Sequence, residues 1–337
     1  MPTQTINMKD VYAVKFNNQN VDSLKLNNTE IWSSGMKGFI NFSCPSAFSI
    51  SVVDNQKHWD GTLEYSINES PTWTVWDGTT PISPNTSGYT VIHIRGTGNT
   101  YITGQTASAT VGRWVFTTNL PFETITIDGN IENLLDYSLV NQGIHPVMAD
   151  YCFCFLFRDN TNINIAPGGS PLAEFIKFRM PALSLSSYCY RGLFYGCTSL
   201  TSAPALPSTT LAINCYTNMF RDCTSLTSAP ALPATTSTSQ CYYNMFYGCT
   251  SLTSIPALPA TTLVSGCYSS MFNGCTNIKI SSTQTGDYVN AYRIPSSGTG
   301  TTNTTNWGSN MFANTGGTFT SNPTINTTYY TSNTIVS

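Results

Sequence analysis

Cys189-Tyr190-Arg191-Gly192-Leu193-Phe194-Tyr195-Gly196-Cys197-Thr198-Ser199-Leu200-Thr201-Ser202-Ala203-Pro204-Ala205-Leu206-Pro207-Ser208-Thr209-Thr210 decides the fold, because the chain contains it several times. Segments starting at Cys215, Cys241 and Cys267 match it, each displaced by 26 residues, and the second cysteines Cys197, Cys223, Cys249 and Cys275 keep the same step. Degenerate copies flank the array. Cys152 to Ile163 fits with Asn160 in place of the second cysteine, 37 residues before the next unit. Trp307 to Phe312 fits with Trp307 in place of the first, 40 residues after the last. That makes six units. A unit of this size cannot bury its apolar side alone, so the array folds as a stack with atypical ends.

Within a unit, Cys189, Leu193 and Phe194 recur at helical spacing and predict a short inward-facing helical stripe. Gly196, Gly248 and Gly274 suit a left-handed stop to it, a pattern from which Asp222 departs. Leu200, Leu226 and Leu252 predict a short strand. Its outward residues are Thr201, Ser202, Thr227, Ser228, Thr253 and Ser254, a candidate binding surface whose plainer reading is a solvated polar face. Pro204 and Pro207 end the strand, since proline donates nothing to a ladder. Stacked units then form a parallel sheet with strands about 4.8 Å apart.

Upstream the pattern changes. Phe39–Phe42, Phe48–Val52, Leu63–Ile67, Trp73–Trp76, Val91–Ile94 and Thr124–Ile127 are short alternating runs separated by Gly, Pro, Asn and Asp, the signature of a β-sandwich of the immunoglobulin-like kind. Residues 1–35 add Val11–Phe16, Val21–Leu26 and Thr29–Trp32, too few strands to be stable alone. The expected fold is therefore mainly β with α/β repeats. It comprises a β attachment segment over 1–35, a sandwich over 36–130, and a leucine-rich-repeat solenoid with degenerate caps over 131–337.

The repeat Cys-Tyr-x-x-Met-Phe-x-Gly-Cys-Thr-Ser-Leu-Thr-Ser-x-Pro-Ala-Leu-Pro resembles the BspA-like (Treponema pallidum-type) leucine-rich repeats of gut Bacteroidetes and the phages that infect them. Tyr65-Ser66-Ile67-Asn68, Ile94-Arg95-Gly96 and Gly129 to Leu135 are similar to the sandwich that accompanies those repeats, and Gly317 to Pro323 to their closing segment. Leu24-Lys25-Leu26-Asn27-Asn28-Thr29-Glu30-Ile31-Trp32 resembles a motif that opens phage tail and virion proteins. The resemblance implies a virion structural protein of a crAss-like phage, a tail or head fibre. Leu24, Leu26, Ile31 and Trp32 would attach it to other virion proteins, and the repeats would engage host-surface glycan or protein. The alternative it implies is a bacterial cell-surface adhesin.

Composition and candidate chemistry agree with a binding role. Only 9% of residues are charged and the net charge is −3 without a basic run, which disfavours nucleic acid as a partner. No apolar run approaches the ~18 residues of a membrane span. Met1 to Asp10 lacks a basic segment followed by an apolar core, so either the chain was trimmed or it leaves its cell by a route other than secretion, such as lytic release of virions assembled in the host cytoplasm. The eleven cysteines read best as buried thiols in two ladders, Cys189, Cys215, Cys241, Cys267 and Cys197, Cys223, Cys249, Cys275. Disulfides and a metal site stay open. His58, His93 and His145 fall in no catalytic or ligand motif, with His93 read as a strand surface residue. Glu64, Glu69, Glu123 and Asp128 are scattered, so neither an enzyme nor a cofactor is expected, although a glycosidase pair can be distant in sequence. Trp59, Trp73 and Trp76 read as core packing, with sugar stacking as the alternative. A homo-oligomer is left open.

Overall fold

The computed structural model describes residues 38–281, except 69, 85–87, 107, 109–110, 121 and 166–176, together with residues 306–316. The backbone of several short terminal strands is also described. At the N-terminus these are β1 (Lys15–Phe16) paired antiparallel with β2 (Gln19–Asn20), and β3 (Ser23–Leu26) paired antiparallel with β4 (Thr29–Ser33). In the second pair Leu24 opposes Trp32 and Leu26 opposes Thr29. A register shift between Leu24 and Lys25 leaves Ile31 in a bulge.

The protein is mainly β. A mixed sheet of seven strands is built from β5 (Ile40–Cys44), β7 (Thr62–Ile67), β8 (Thr74–Trp76), β9 (Thr90–Thr97), β11 (Ile125–Asn130), β12 (Ile163–Ile165) and β13 (Phe178–Arg179), in the order β12-β11-β5-β9-β7-β8, with β13 also on β11. Alternation decides which way each strand faces. Ile40, Phe42, Ile92, Ile94, Leu63, Ile125 and Ile127 are buried on one side, each worth roughly 1.5–3 kcal/mol on burial. A two-stranded sheet of β6 (Phe48–Val52) and β10 (Trp114–Thr118) faces them. Phe42 meets Phe116 with ring centroids 5.1 Å apart, and Trp114 meets Trp76 edge-on at 5.1 Å. The single described helix, α1 (Asn133–Asn141), lies on β9 and is interrupted at Asp136, whose backbone is extended. Gly96 makes this packing possible: a Cβ there would fall 1.7 Å from the Leu134 carbonyl oxygen.

Both parallel partners of β11 come from beyond residue 130. Ile125 and Ile127 pair with Ile163 and Ile165, and Gly129 with Phe178. Hydrogen bonding and core therefore run without a break from the strand-rich half into the first repeat unit.

The repeats stack, but not as the spacing predicts. No helix forms at Cys189, Leu193 and Phe194. Residues 151–159, 188–196, 214–222, 240–248, 266–274 and 306–314 are runs of consecutive turns. In each run the backbone turns left-handed at every fourth position: Tyr188, Gly192 and Gly196 have φ of +60, +58 and +72°, and Asn214, Asn218 and Asp222 have +56, +57 and +58°. Asn, Asp and Gly tolerate this conformation best, so Asp222 keeps the conformation of the glycine it replaces.

The hydrogen bonds then alternate. Arg191 N–H donates back to Tyr188 O (3.1 Å) and Leu193 N–H to Tyr190 O (3.3 Å), while Tyr190 N–H donates to Cys215 O (3.0 Å) and Gly192 N–H to Thr217 O (2.8 Å) in the next unit. In this unit odd residues close turns and even residues join units, and the 151–159 run does the same with the parity reversed. A four-residue turn period lies near the 3.6 of a helix, so both bury Cys189, Leu193 and Phe194.

The predicted strands at Leu200, Leu226 and Leu252 are also absent. These leucines are fully buried, but paired prolines strip the segments of donors. Single bonds remain, from Thr227 N–H to Thr201 O (3.3 Å) and from Thr253 N–H to Thr227 O (3.4 Å), with parallel bridges at Ser184/Thr210 and Thr236/Thr262. Only β14 (Ile255–Pro256) is a strand here, and it pairs in parallel with β18 (Ile335–Val336) near the C-terminus. There β15 (Ile280–Ser281) and β16 (Asn290–Ile294) flank β17 (Thr327–Thr331).

Rings form the spine. Phe194, Phe220, Phe246, Phe272 and Phe312 stack with centroids 5.5 to 5.9 Å apart, and Tyr190, Tyr216, Tyr242 and Tyr268 run parallel to them.

Candidate binding surface

Polar chemistry gathers in three places, two on the stack and one on the large sheet, and the cysteines belong to none of them. All eleven are buried and unpaired. Cys197, Cys223, Cys249 and Cys275 each donate Sγ–H to a phenylalanine carbonyl of the preceding unit, at 3.1, 3.0, 3.0 and 3.0 Å. The first of those carbonyls is Phe157 O. In the first unit no earlier unit exists, and Asn160 stands where the cysteine would be. Its Nδ2 donates to Trp114 O (2.8 Å) and its Oδ1 accepts from Phe116 N–H (2.9 Å), so this one substitution docks the stack onto β10. Cys189, Cys215 and Cys241 sit fully buried against the tyrosine column, and Cys267 points at Trp307 O (3.8 Å). Burial raises the thiol pKa throughout, to about 12 at Cys154 and about 11 at Cys267.

The first place is the threonine edge. Thr201, Thr227 and Thr253 are exposed, Ser228 is exposed and Ser202 half-buried, while Ser254 is buried and faces no solvent. Thr227 Oγ1 donates to Thr201 O (3.2 Å) and Thr253 Oγ1 to Thr227 O (3.5 Å). Asn164 of β12 extends the row, its Nδ2 donating to Thr201 Oγ1 (3.1 Å). These hydroxyl protons hold units together, which leaves the edge mainly acceptors and methyl groups to offer a ligand.

The second is the turn face. Arg158, Tyr195, Arg221 and Tyr247 occupy one position in successive units. Arg158 lies 4.7 Å from the Tyr195 ring, and Arg221 lies 5.3 Å from Tyr195 and 4.6 Å from Tyr247. Asp159 holds Arg158 (3.1 Å) and Arg113 (2.9 Å), and Asp222 holds Arg221 (3.4 Å). Beside this ladder Tyr151 stacks on Tyr188 at 4.5 Å with planes 12° apart, and Arg191 lies 5.6 Å from the Tyr188 ring and 5.4 Å from that of Phe155. Planar rings with guanidinium groups are the chemistry of recognition surfaces. Sequence reasoning passed over these residues. Their signal was variation at fixed offsets inside otherwise verbatim units, as at Arg191, Thr217, Tyr243 and Ser269.

The third is the outer face of the large sheet. Asp128, Asn41, His93 and Ser66 form one cross-strand row. Asn41 Nδ2 donates to Asp128 Oδ1 (2.5 Å), and Asn41 Oδ1 lies 2.5 Å from His93 Nδ1. His93 is buried, not on the surface, with the Phe39 ring at 4.6 Å. Burial lowers its pKa to about 4 and raises that of Asp128 to about 6.

The other carboxylates are engaged. Glu64 pairs with Arg95 (2.9 Å), which is sandwiched between Trp73 (3.9 Å) and Tyr137 (4.4 Å). Glu123 accepts from Ser46. Glu132, buried beside a cavity of about 330 Å³, meets His145 at 2.9 Å. Glu69 lies outside the described residues. His58 meets Asp54 at 2.8 Å. Trp59 and Trp76 are buried in the core, and Trp73 is half-buried. Among the described residues no group of three His, Cys, Asp or Glu converges as a metal site, and no helix is long and apolar enough to cross a membrane. The attachment candidates Leu24, Leu26, Ile31 and Trp32 lie on β3 and β4, whose side chains are outside the described residues. Comparison with family models, curated proteins and solved structures finds no match to the chain.

Proposed function

We propose that this chain is a structural display protein of a phage virion, a fibre or appendage whose repeat stack is a solenoid of the leucine-rich-repeat type that binds host-surface glycan or protein. The observation that carries the reading is the pairing of a rigid, hydrogen-bonded stack with a face of aligned tyrosine and arginine side chains, Tyr151 to Tyr247, at a fixed spacing. A periodic array of side chains suits a periodic ligand, and the scaffold prepays the ordering entropy of binding. Residues 24–32, with their likeness to virion-opening motifs, give the attachment end, and the sandwich over 36–130 is the stalk between. Eleven buried thiols suit a chain that folds in a reducing cytoplasm before lysis. The reading is one of binding, and Glu64 and Glu123 fit it as carboxylates engaged in structural contacts.

The likeness of the repeats to those of surface proteins favours a second reading, a bacterial cell-surface adhesin. Mass spectrometry and antibody labelling of purified virions separate the two. Detection in the particle supports the proposal, and detection on uninfected cells alone replaces it with the adhesin.

A further inference from the structure

Charge is rare in the stack, which makes its placement informative. Between residues 188 and 280 the charged residues are Arg191, Arg221, Asp222 and Lys279. Arg221 and, two units earlier, Arg158 each have a carboxylate at the next position, Asp222 and Asp159. Arg191 is followed by Gly192, whose place is covered by the Phe155 ring: a Cβ there would lie 2.2 Å from it. The Arg191 side chain makes no hydrogen bond or ion pair with the described residues, and its Nε is buried without an acceptor. The nearby Asp150 is turned to the Ser187 N–H (2.9 Å). The cation thus lies between Phe155 and Tyr188 with no carboxylate paired to it, beside the Tyr151–Tyr188 stack.

We infer that Arg191 is the centre of a subsite for a carboxylated saccharide, with the ligand carboxylate on the Arg191 guanidinium and the pyranose ring against the Tyr151–Tyr188 shelf. The inference rests on the glycan-binding reading above. A guanidinium matches a carboxylate in a bidentate geometry that a lysine does not reproduce. A stacked pair of tyrosines offers an apolar surface with a hydroxyl rim, which suits the apolar face and polar edge of a pyranose. A guanidinium without a paired carboxylate suits a monoanionic residue. A polyanion such as nucleic acid requires a run of free basic groups.

The test titrates the full chain with oligogalacturonate and with the same oligosaccharide reduced at its carboxyl groups to the neutral form. The variants are Arg191→Gln, Arg191→Lys and Tyr188→Leu, with thermal midpoints recorded to show that each is folded. The expected result is binding of the acidic oligosaccharide that falls with added salt, drops tenfold or more in Arg191→Gln and in Tyr188→Leu, and is only partly restored by Arg191→Lys. The neutral oligosaccharide should bind wild type and Arg191→Gln alike. Equal binding of the two oligosaccharides by wild type, or undiminished acidic binding by folded Arg191→Gln, overturns the subsite and leaves glycan binding standing. Tighter binding of a phosphopeptide than of oligogalacturonate overturns it in favour of a protein partner. Failure to bind either oligosaccharide or whole host-envelope polysaccharide overturns the glycan reading and the subsite together.

Discussion

Asp222 lies over Gly248 of the next unit, so closely that a Cβ on Gly248 would fall 2.3 Å from Asp222 Oδ1, and Asp159 covers Gly196 in the same way at 2.6 Å. Two units therefore alternate along the turn face, Arg158-Asp159, Tyr195-Gly196, Arg221-Asp222, Tyr247-Gly248. Gly248 is also left-handed, with φ +72°. Gly248→Ala should then lose roughly 1–3 kcal/mol, from backbone strain and from displacing Asp222. In an Asp222→Gly background the same change should cost about 1 kcal/mol less, since only the backbone term remains. Urea denaturation of the four proteins closes this cycle, and strictly additive effects would refute the contact.

That alternation marks what could be read from residues alone. The 26-residue step is written almost verbatim, so stacking, unit boundaries and the buried cysteine, leucine and phenylalanine positions were legible. The backbone within a unit was not, because turns with a four-residue period place Cys189, Leu193 and Phe194 on one side just as a helix does. The tell was Asn214, Asn218 and Asp222, residues that accept left-handed backbone, at intervals of four. The strand expected at Leu200 failed on its own prolines. The joining of β11 to β12 and β13 is long-range pairing, which no local pattern encodes. The turn-face site was hidden because its Arg and Tyr alternate with a period of two units.

The tyrosine column contains a matched control. Tyr216 Oη donates to Ser208 Oγ (3.0 Å), which in turn donates to Ala182 O (2.6 Å). One unit on, Ala234 occupies the position of Ser208, and the buried Tyr242 Oη meets no protein partner. An unmatched buried hydroxyl is costly, and a neutral hydrogen bond is worth about 1 kcal/mol. Ala234→Ser should therefore stabilise the protein by about that amount, and Tyr242→Phe should be neutral or stabilising, whereas Tyr216→Phe should destabilise. Thermal and urea midpoints decide it; equal losses for the two Tyr→Phe changes would contradict the account.

The thiols make a kinetic prediction. Thiolate is the reactive form, and burial both excludes reagent and holds the thiols protonated, with Cys154 raised to about 12. At pH 8 the native protein should consume almost no thiol reagent, and full reaction should follow only on unfolding. Cys267, raised less, to about 11, should be the first of the ladder to react. Cysteine-resolved mass spectrometry of partially labelled protein measures the order, and rapid labelling at Cys223 or Cys249 in the native state would show that the stack opens there.

Asp128 and His93, joined through Asn41, should show opposing acid–base linkage. Asp128 has its folded pKa raised from 3.8 to about 6, so its contribution to stability is full below about pH 4 and is lost as pH rises through 6. His93 has its folded pKa lowered from 6.5 to about 4, so its contribution is full above about 6.5 and is lost as pH falls through 4. Each term has a slope of about 1.4 kcal/mol per pH unit, and between pH 4 and 6 they cancel, because folding merely keeps on Asp128 the proton that unfolding returns to His93. Asp128→Asn removes one term, so that variant should become less stable on acidification. His93→Gln removes the other, so it should become less stable as pH rises. Taking the difference between the two variants eliminates every group they share, and that difference should change by roughly 2.7 kcal/mol per pH unit. Stability from urea melts at pH 4, 5 and 6 measures it. A difference that does not change with pH would mean that the row from Asp128 to His93 is not buried as a unit in solution.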